Sequence, residues 1–159
     1  MESIEIHPLF AKDDQYAFAF CREIYFEMGF PEDTLGSSVK EMFSKRGDVF
    51  VVMKQSGEII GTGGFLQLSK EDVLLKRFYL AKRLRGSGLA SRLFSDLVER
   101  ARVMGYSILL VDVSSTNRRA IRFYQKEGMK ELFVISPHPR WEGSLLERQK
   151  TDRYFSFNL

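Results

Sequence analysis

Two glycines in a short basic turn are the first residues whose types and spacing could do chemistry. Gly86 and Gly88 lie within residues 80–90, which read LAKRLRGSGLA and also contain Arg83 and Arg85. Glycine permits positive φ angles and lets a ligand approach the backbone closely. Where a helix begins after such a turn, its first N–H groups have no partner inside the helix and bind anions. The segment therefore predicts an anion site built from backbone amides, although an ordinary glycine-rich turn fits equally well.

Three kinds of phosphate-binding loop can be compared with this segment. A P-loop needs Gly-Lys-Ser/Thr after its glycines, and that sequence is absent. A dinucleotide loop needs G-x-G-x-x-G, but Ser91 stands at the third glycine, although Asp112 follows at about the place of a ribose-binding acid. Arg85-x-x-Gly88-x-Ala90 matches Q/R-x-x-G-x-G/A, the signature of loops that bind the pyrophosphate of acetyl-CoA. The third interpretation fits best.

A second motif follows the next apolar run. Residues 113–129 read VSSTNRRAIRFYQKEGM. They resemble the pattern V-x-x-x-N-x-x-A-x-x-x-Y-x-K-x-G-F of the GNAT superfamily of N-acetyltransferases, with Met129 in place of the final Phe. The detailed resemblance covers about residues 73–130. Two motifs in this order are more specific than either one alone.

Hydrophobic periodicity predicts the elements that must position these motifs. The predicted strands are residues 3–7, 49–53, 59–68, 73–80, 108–111, 132–135 and 154–157. The predicted helices are residues 13–28 with the apolar stripe Tyr16, Phe20, Ile24 and Met28, a short helix after Ser38, residues 89–104, and residues 117–126. The order β-α-α-β-β-β-α-β-α-β-β predicts an α/β fold, a mixed sheet with helices on its faces.

Length and composition limit the class of protein. A chain of 159 residues is one domain long, so residues 1–159 are expected to form a single domain. The resemblance implies a mostly antiparallel sheet of about six or seven strands flanked by about four helices. The content of 44% hydrophobic and 28% charged residues excludes a disordered chain, and one cysteine excludes an internal disulfide framework. No apolar run reaches the ~18 residues of a membrane span and no secretion signal is present, so a cytoplasmic protein with no membrane partner is expected.

The net charge of +3 is unevenly distributed. Residues 76–130 contain 13 Lys/Arg and 4 Asp/Glu. This excess suggests an anionic partner, or a solvated basic face on helices. A nucleic acid is the less favoured anionic partner, because no basic motif with interleaved aromatic residues accompanies the charge. We therefore expect no nucleic-acid partner.

The resemblance implies a cofactor site. The backbone N–H groups that would bind the pyrophosphate belong to Arg85, Gly86, Ser87, Gly88, Leu89, Ala90 and Ser91. Pantetheine would pair with the open edge of the strand containing Phe78 and Leu80, splayed from the strand at residues 108–113, and Phe123 would also lie in the cofactor site. The Leu80 N–H would stabilise the oxyanion. Asn117 would bond the pantetheine arm, and its residue type equally suits a helix N-cap.

The resemblance also implies a reaction. Tyr124 would be the general acid that protonates the leaving thiolate, since a tyrosine hydroxyl has a pKa of ~10, although it also falls on an apolar helical face with Ile121 and Phe123. The implied activity is acetyl transfer from acetyl-CoA to a primary amine by direct attack in a ternary complex. The alternative is a non-catalytic acyl-CoA-binding sensor or partner module. The oligomeric state is left open between monomer and homodimer.

The general base and the acceptor are the least defined parts of the prediction. An ammonium of pKa ~10.4 costs roughly 4.6 kcal/mol to deprotonate at pH 7. The candidate bases are Glu23, Glu27, Asp72 and Glu131, each of which is more typical of a surface carboxylate. Cys21 is expected to be a packed thiol, His138 and Trp141 to anchor a loop or border the acceptor pocket, and no spacing indicates a metal. Neither the acceptor nor the acyl length follows from the sequence.

Overall fold

The computed structural model describes residues 3–29, 36, 38–134, 138, 140 and 152–159. A seven-stranded sheet in this part of the chain has the order β1-β2-β3-β4-β5-β7-β6. The strands are β1 Ile4–Pro8, β2 Val49–Gln55, β3 Glu58–Gln67, β4 Asp72–Leu80, β5 Ile108–Ser114, β6 Lys130–Leu132 and β7 Asp152–Asn158. The α-helices are α1 Asp14–Glu27, α2 Val39–Met42, α3 Leu89–Val103 and α4 Arg118–Lys126. Strands β4 and β5 are parallel and the other described neighbours are antiparallel, which confirms the predicted fold class.

The helices cover the two faces of the sheet as amphipathic elements do. Helix α3 buries Leu93, Phe94, Leu97, Val98 and Ala101, as predicted, together with residues of α4. The stripe predicted for α1 is correct at Ile24 and wrong at Tyr16. Tyr16 is 61% exposed, whereas Ala17, Cys21, Ile24 and Tyr25 are buried. Large aromatic residues run along both sides of α1, so their spacing alone did not identify the face that meets β2 and β3.

The start of β6 and the exposure of Met104 also differ from the prediction. Strand β6 begins at Lys130 rather than Leu132, because its register with β7 joins Lys130 to Ser156 and Leu132 to Tyr154. The predicted end at Ile135 lies outside the described residues. Met104, expected on the apolar face of α3, is 45% exposed.

A β-bulge changes the direction of β4. Thr62 pairs with Tyr79 and Gly64 pairs with Lys76, so Arg77 and Phe78 together face one residue, Gly63. Arg77 has a φ of 54°, and its carbonyl accepts a hydrogen bond from the Thr62 hydroxyl at 2.8 Å. Such bulges bend a strand and increase its twist. A Cβ at Gly63 would lie 2.7 Å from Leu97 Cδ1 and 3.1 Å from Phe78, so glycine allows α3 and Phe78 to pack here.

Beyond the first residues of β4 and β5, the two strands separate. They pair through Asp72–Ile108, Val73–Leu109 and Leu74–Leu110 only. Strand β4 continues to Leu80 and β5 to Ser114 without pairing to each other. We call the space between residues 75–80 and residues 111–114 the gap. The sheet is therefore open at the place where the family resemblance implied a splay.

Candidate active site

The turn after β4 leads directly into the N-terminus of α3. Gly86 and Gly88 have φ angles of 82° and 88°, and an added Cβ at either would meet nothing within 4 Å. Within the described chain, neither of their N–H groups has an acceptor. The N–H groups of Ala90 and Ser91 lie in the first turn of α3, where a helix supplies no acceptor of its own. Four amides at one helix N-terminus are thus available to an anion.

Other amides predicted for this site are bonded within the turn. The Arg85 N–H donates to the Lys82 carbonyl at 3.3 Å, and the Ser87 N–H donates to the Leu84 carbonyl at 3.2 Å. The Leu89 N–H donates to Ser87 Oγ at 3.4 Å. The turn is therefore braced by these residues, and the amides open to a ligand are concentrated at the two glycines and the first turn of α3.

The strand edge beside the gap presents backbone donors. The Ala81 N–H donates to the Ile60 carbonyl of β3 at 2.8 Å. Successive N–H groups along a strand point to opposite edges, so those of Leu80 and Phe78 point towards the gap. Since β5 does not pair there, the edge is open to an extended ligand.

Tyr124 packs beside the gap on the α4 side. It is 6% exposed, and its ring centroid lies 6.3 Å from Phe78 and 5.6 Å from Phe123. Burial raises the pKa of Tyr124, and the charges of Tyr79 and Asp112 raise it further. The hydroxyl therefore remains protonated at neutral pH. Phe123 stacks on Phe78 at 5.5 Å, which fixes α4 against β4.

Asn117 is the N-cap of α4. Its Oδ1 accepts a hydrogen bond from the Ala120 N–H at 3.2 Å. The capping role expected for this residue type is present, and the cap fixes where α4 starts at the end of β5.

An ion pair that the sequence did not predict closes the narrow end of the gap. Lys76 Nζ lies 3.0 Å from Asp112 Oδ1, and the side chains are 20% and 5% exposed. Each residue follows the last paired residues, Leu74 and Leu110, by two positions. Val111 and Val113 face the α3–α4 core, so the alternating Asp112 faces the α1 side of the sheet. The only sequence signal for this pair is a lone acid inside an apolar run, which by its position suggested a ribose ligand.

None of the four carboxylates predicted as bases lies between β4 and β5. Glu27 pairs with Arg85 at 2.7 Å, and this hydrogen bond holds the pKa of Glu27 below its usual value. Glu131 pairs with Arg153, which lowers the pKa of Glu131 in the same way. Asp72 begins β4 at the end remote from the turn, and Glu23 is exposed on α1.

Other candidate residues are in structural roles. Cys21 is buried beside Thr62 Oγ1 at 3.5 Å, and burial raises the pKa of its thiol to about 11. His138 Nδ1 accepts from the Arg140 N–H at 3.0 Å, and Arg140 forms a bidentate pair with Asp48 at 2.6 and 2.7 Å. Trp141 lies outside the described residues. The residues described contain no group of three metal-ligating side chains and no helix that could cross a membrane.

A groove elsewhere on the molecule is lined by apolar residues together with charged side chains. Its volume is about 580 Å³, and its lining includes Leu9, Phe43, Phe50, Val103 and Met104. Val103 and Met104 end α3, so the groove lies at the opposite end of that helix from Gly88. The open amides, the open strand edge and Tyr124 instead converge on the gap, which we take as the candidate active site.

Curated proteins of similar sequence carry acetyltransferase or synthetase names. The chain is 30% identical to the uncharacterized N-acetyltransferase YjgM of Escherichia coli over 95 residues, 58% of this chain and 57% of that protein. It is 27% identical to the N-acetylaspartate synthetase of Xenopus tropicalis over 116 residues, 70% of this chain and 43% of that protein. The chain thus spans about half the length of the curated relatives it matches.

Solved structures of acetyltransferases and one protein-family model also match this chain. A GNAT family acetyltransferase from Staphylococcus aureus superposes with a TM-score of 0.79 at 16% identity, covering 99% of both chains. A GNAT family acetyltransferase from Elizabethkingia anophelis, with acetyl-CoA bound, gives a TM-score of 0.67 at 16% identity and 98% of both chains. These identities establish a shared fold alone. The model of the Acetyltransferase (GNAT) family matches residues 9–129, most of the chain, so this protein belongs to the GNAT acetyltransferase family.

Proposed function

We propose that this protein is an acetyl-CoA-dependent N-acetyltransferase that acetylates a primary amine by direct attack in a ternary complex. The observation that carries the proposal is the gap between β4 and β5, which opens beside unpaired amides at Gly86 and Gly88. A diphosphate and an extended amide-containing arm are the two chemistries that such a pair of features binds. Family membership supports the same ligand.

Acetyl-CoA would bind along β4. Its pyrophosphate would accept hydrogen bonds from Gly86, Gly88 and the first turn of α3, near the positive end of the helix dipole. Its pantetheine arm would pair with the Leu80 N–H and run along the open edge of β4 towards Phe78. The pantetheine arm is about a dozen bonds long. Fully extended, it is therefore as long as about four extended residues of a protein chain, ~13 Å. The thioester would therefore lie towards the narrow end of the gap.

The residues around the gap suit each step of the transfer. The amine nitrogen attacks the thioester carbonyl carbon, and the oxygen that gains negative charge accepts a hydrogen bond from the Phe78 N–H rather than that of Leu80, because Phe78 lies closer to the narrow end of the gap. When the C–S bond breaks, the thiolate takes the proton of the Tyr124 hydroxyl. Asp112, which faces the α1 side of the gap, receives the proton that the acceptor ammonium must lose before attack. A proton from the amide nitrogen restores Tyr124.

A matched pair of glycine variants tests the binding site. Gly88 and Gly105 lie at opposite ends of α3, both with a φ of 88° and both with open space where a Cβ would stand. At 100 times its Kd, acetyl-CoA is expected to raise the Tm of the wild type by about 5–10 °C. Gly88→Glu should abolish this shift and Gly105→Glu should retain it. Absence of a shift in the wild type would contradict the proposal.

A second candidate function is an acyl-CoA-binding module without turnover. Tyr124 favours it, because this side chain is 6% exposed and packed among aromatic rings, as a purely structural residue would be. The module would bind CoA fully but release no thiol from acetyl-CoA with any amine of a broad panel. Release of free CoA from acetyl-CoA with any one amine would show that the protein is an enzyme.

A further inference from the structure

The ion pair between Lys76 and Asp112, at the narrow end of the gap, indicates which kind of amine acceptor could bind there. Lys76 Nζ is a primary ammonium 3.0 Å from the Asp112 carboxylate. The pair stands where the next backbone contact between β4 and β5 would be, two residues beyond Leu74 and Leu110. An acceptor ammonium that binds Asp112 Oδ1 would take the place of the Lys76 ammonium.

Two residues flank Asp112 on the α1 side of the sheet: Lys76 approaches from β4, and Tyr154 lies opposite on β7. Tyr124 of α4 lies on the other side of the sheet, where the charge of Asp112 still acts on it. Burial raises the pKa of Tyr124 and Tyr154, and the charge of Asp112 adds to the shift in both. Both hydroxyls stay neutral at neutral pH, and Lys76 and Asp112 form a charged pair at this end of the gap. Beside them, the Arg77 guanidinium lies 5.2 Å above the Tyr25 ring.

We propose that the acceptor is a small amino acid whose amine and adjacent carboxylate replace the two halves of this ion pair. The inference rests on the proposed acetyltransferase function. The amine would bind Asp112 and the carboxylate would bind Lys76. A lone cation that displaced Lys76 would break the pair without supplying a carboxylate in exchange, and breaking a buried pair is costly. A zwitterion supplies both charges, so the local balance is preserved.

Amines that differ only in a carboxylate give the test. Each amino acid of a panel is compared with its decarboxylated amine, for example phenylalanine with phenethylamine, by CoA release from acetyl-CoA. For at least one pair, the wild type should have a kcat/KM roughly 10- to 100-fold higher for the amino acid, the effect of one charge-assisted hydrogen bond. A ratio near one for every pair would overturn the inference.

Variants of Lys76 test whether the preference for the amino acid over its decarboxylated amine comes from this ion pair. Lys76→Gln should bring the ratio close to one by raising KM for the amino acid, and Lys76→Arg should restore part of it. Lys54 provides the control, because it forms a similar pair with Asp13 at 2.8 Å with side chains 13% and 12% exposed. Lys54→Gln should keep the wild-type ratio. A purely structural role of Lys76 would lower both activities together and leave the ratio unchanged.

Two outcomes separate this inference from the proposed function. If the wild type acetylates amines without a carboxylate as readily as amino acids, the inference fails and the acetyltransferase function stands. If no acceptor releases CoA and acetyl-CoA gives no thermal shift, both fail. Should Lys76→Gln not fold, the wild-type ratio and its decrease with salt decide alone.

Discussion

The Thr62 hydroxyl donates a hydrogen bond to the Arg77 carbonyl at 2.8 Å, inside the bulge where β4 turns. Thr62 is fully buried, and Arg77 has a φ of 54°, a conformation that a residue with a side chain rarely adopts. This bond holds the strained residue that lies within the open part of β4. The shape of the gap thus depends on a side chain in the neighbouring strand.

Removing that hydroxyl should cost stability. In Thr62→Val a buried carbonyl loses its donor, so the free energy of unfolding should fall by about 1–3 kcal/mol. Denaturant unfolding measures the change. Thr62→Ser keeps the hydroxyl and should lose less, and Thr116→Val at an exposed position should change little. Equal losses in Thr62→Val and Thr62→Ser would show that the bond is unimportant.

Tyr124→Phe separates catalysis from binding. The variant keeps the ring and loses the proton donor, so kcat should fall by about 100-fold or more while the acetyl-CoA-induced Tm shift persists. Steady-state CoA release and thermal unfolding measure the two quantities. Tyr16→Phe is the control, because Tyr16 is 61% exposed on α1. An unchanged kcat in Tyr124→Phe would remove the hydroxyl from the reaction.

The ion pair between Arg85 and Glu27 competes with an anion for Arg85. Its atoms are 2.7 Å apart and it ties α1 to the turn before α3. Glu27→Gln should release the guanidinium towards the phosphates and lower the Kd for CoA by roughly 2- to 5-fold. Isothermal titration calorimetry measures the Kd. Glu23→Gln, one turn earlier on α1, should leave it unchanged, and a weaker affinity in Glu27→Gln would refute this role.

Alkaline pH should destabilise the protein through buried neutral groups. Burial raises the pKa of the Cys21 thiol from 9.0 to about 11 and that of Tyr79 from 10.0 to about 12. The unfolded chain ionises these groups first, so the stability is full below pH 9 and is lost as pH rises through the folded-state pKa values. Between pH 9 and 11, the thiol should contribute up to about 1.4 kcal/mol per pH unit. Urea unfolding of Cys21→Ala should show a shallower slope than the wild type; equal slopes would contradict the assignment.

The sequence predicted the elements that have strong local signals. The apolar face of α3 and the glycine turn before it follow from residues close together in the chain, and the structure places them as expected. The buried face of α1 could not be identified from the sequence, because aromatic residues occupy several faces of this helix. The bulge was missed because its residue of positive φ is Arg77 and not a glycine.

The candidate site was predictable only in part. The cofactor side lies on one continuous segment with recognisable motifs. The pairing of Lys76 with Asp112 joins residues 36 positions apart in sequence and depends on the register of β4 against β5. No local pattern encodes that register, so this ion pair, which contains the proposed base Asp112, could not be predicted.

A crystal structure with acetyl-CoA bound would show whether the cofactor occupies the gap. We expect the pyrophosphate within hydrogen-bond distance of the Gly86 and Gly88 N–H groups, the pantetheine arm paired with Leu80 of β4, and the thioester between β4 and β5 beside Phe78. A complex in which those amides bond within the protein and acetyl-CoA lies elsewhere, such as the groove beside Met104, would contradict the account.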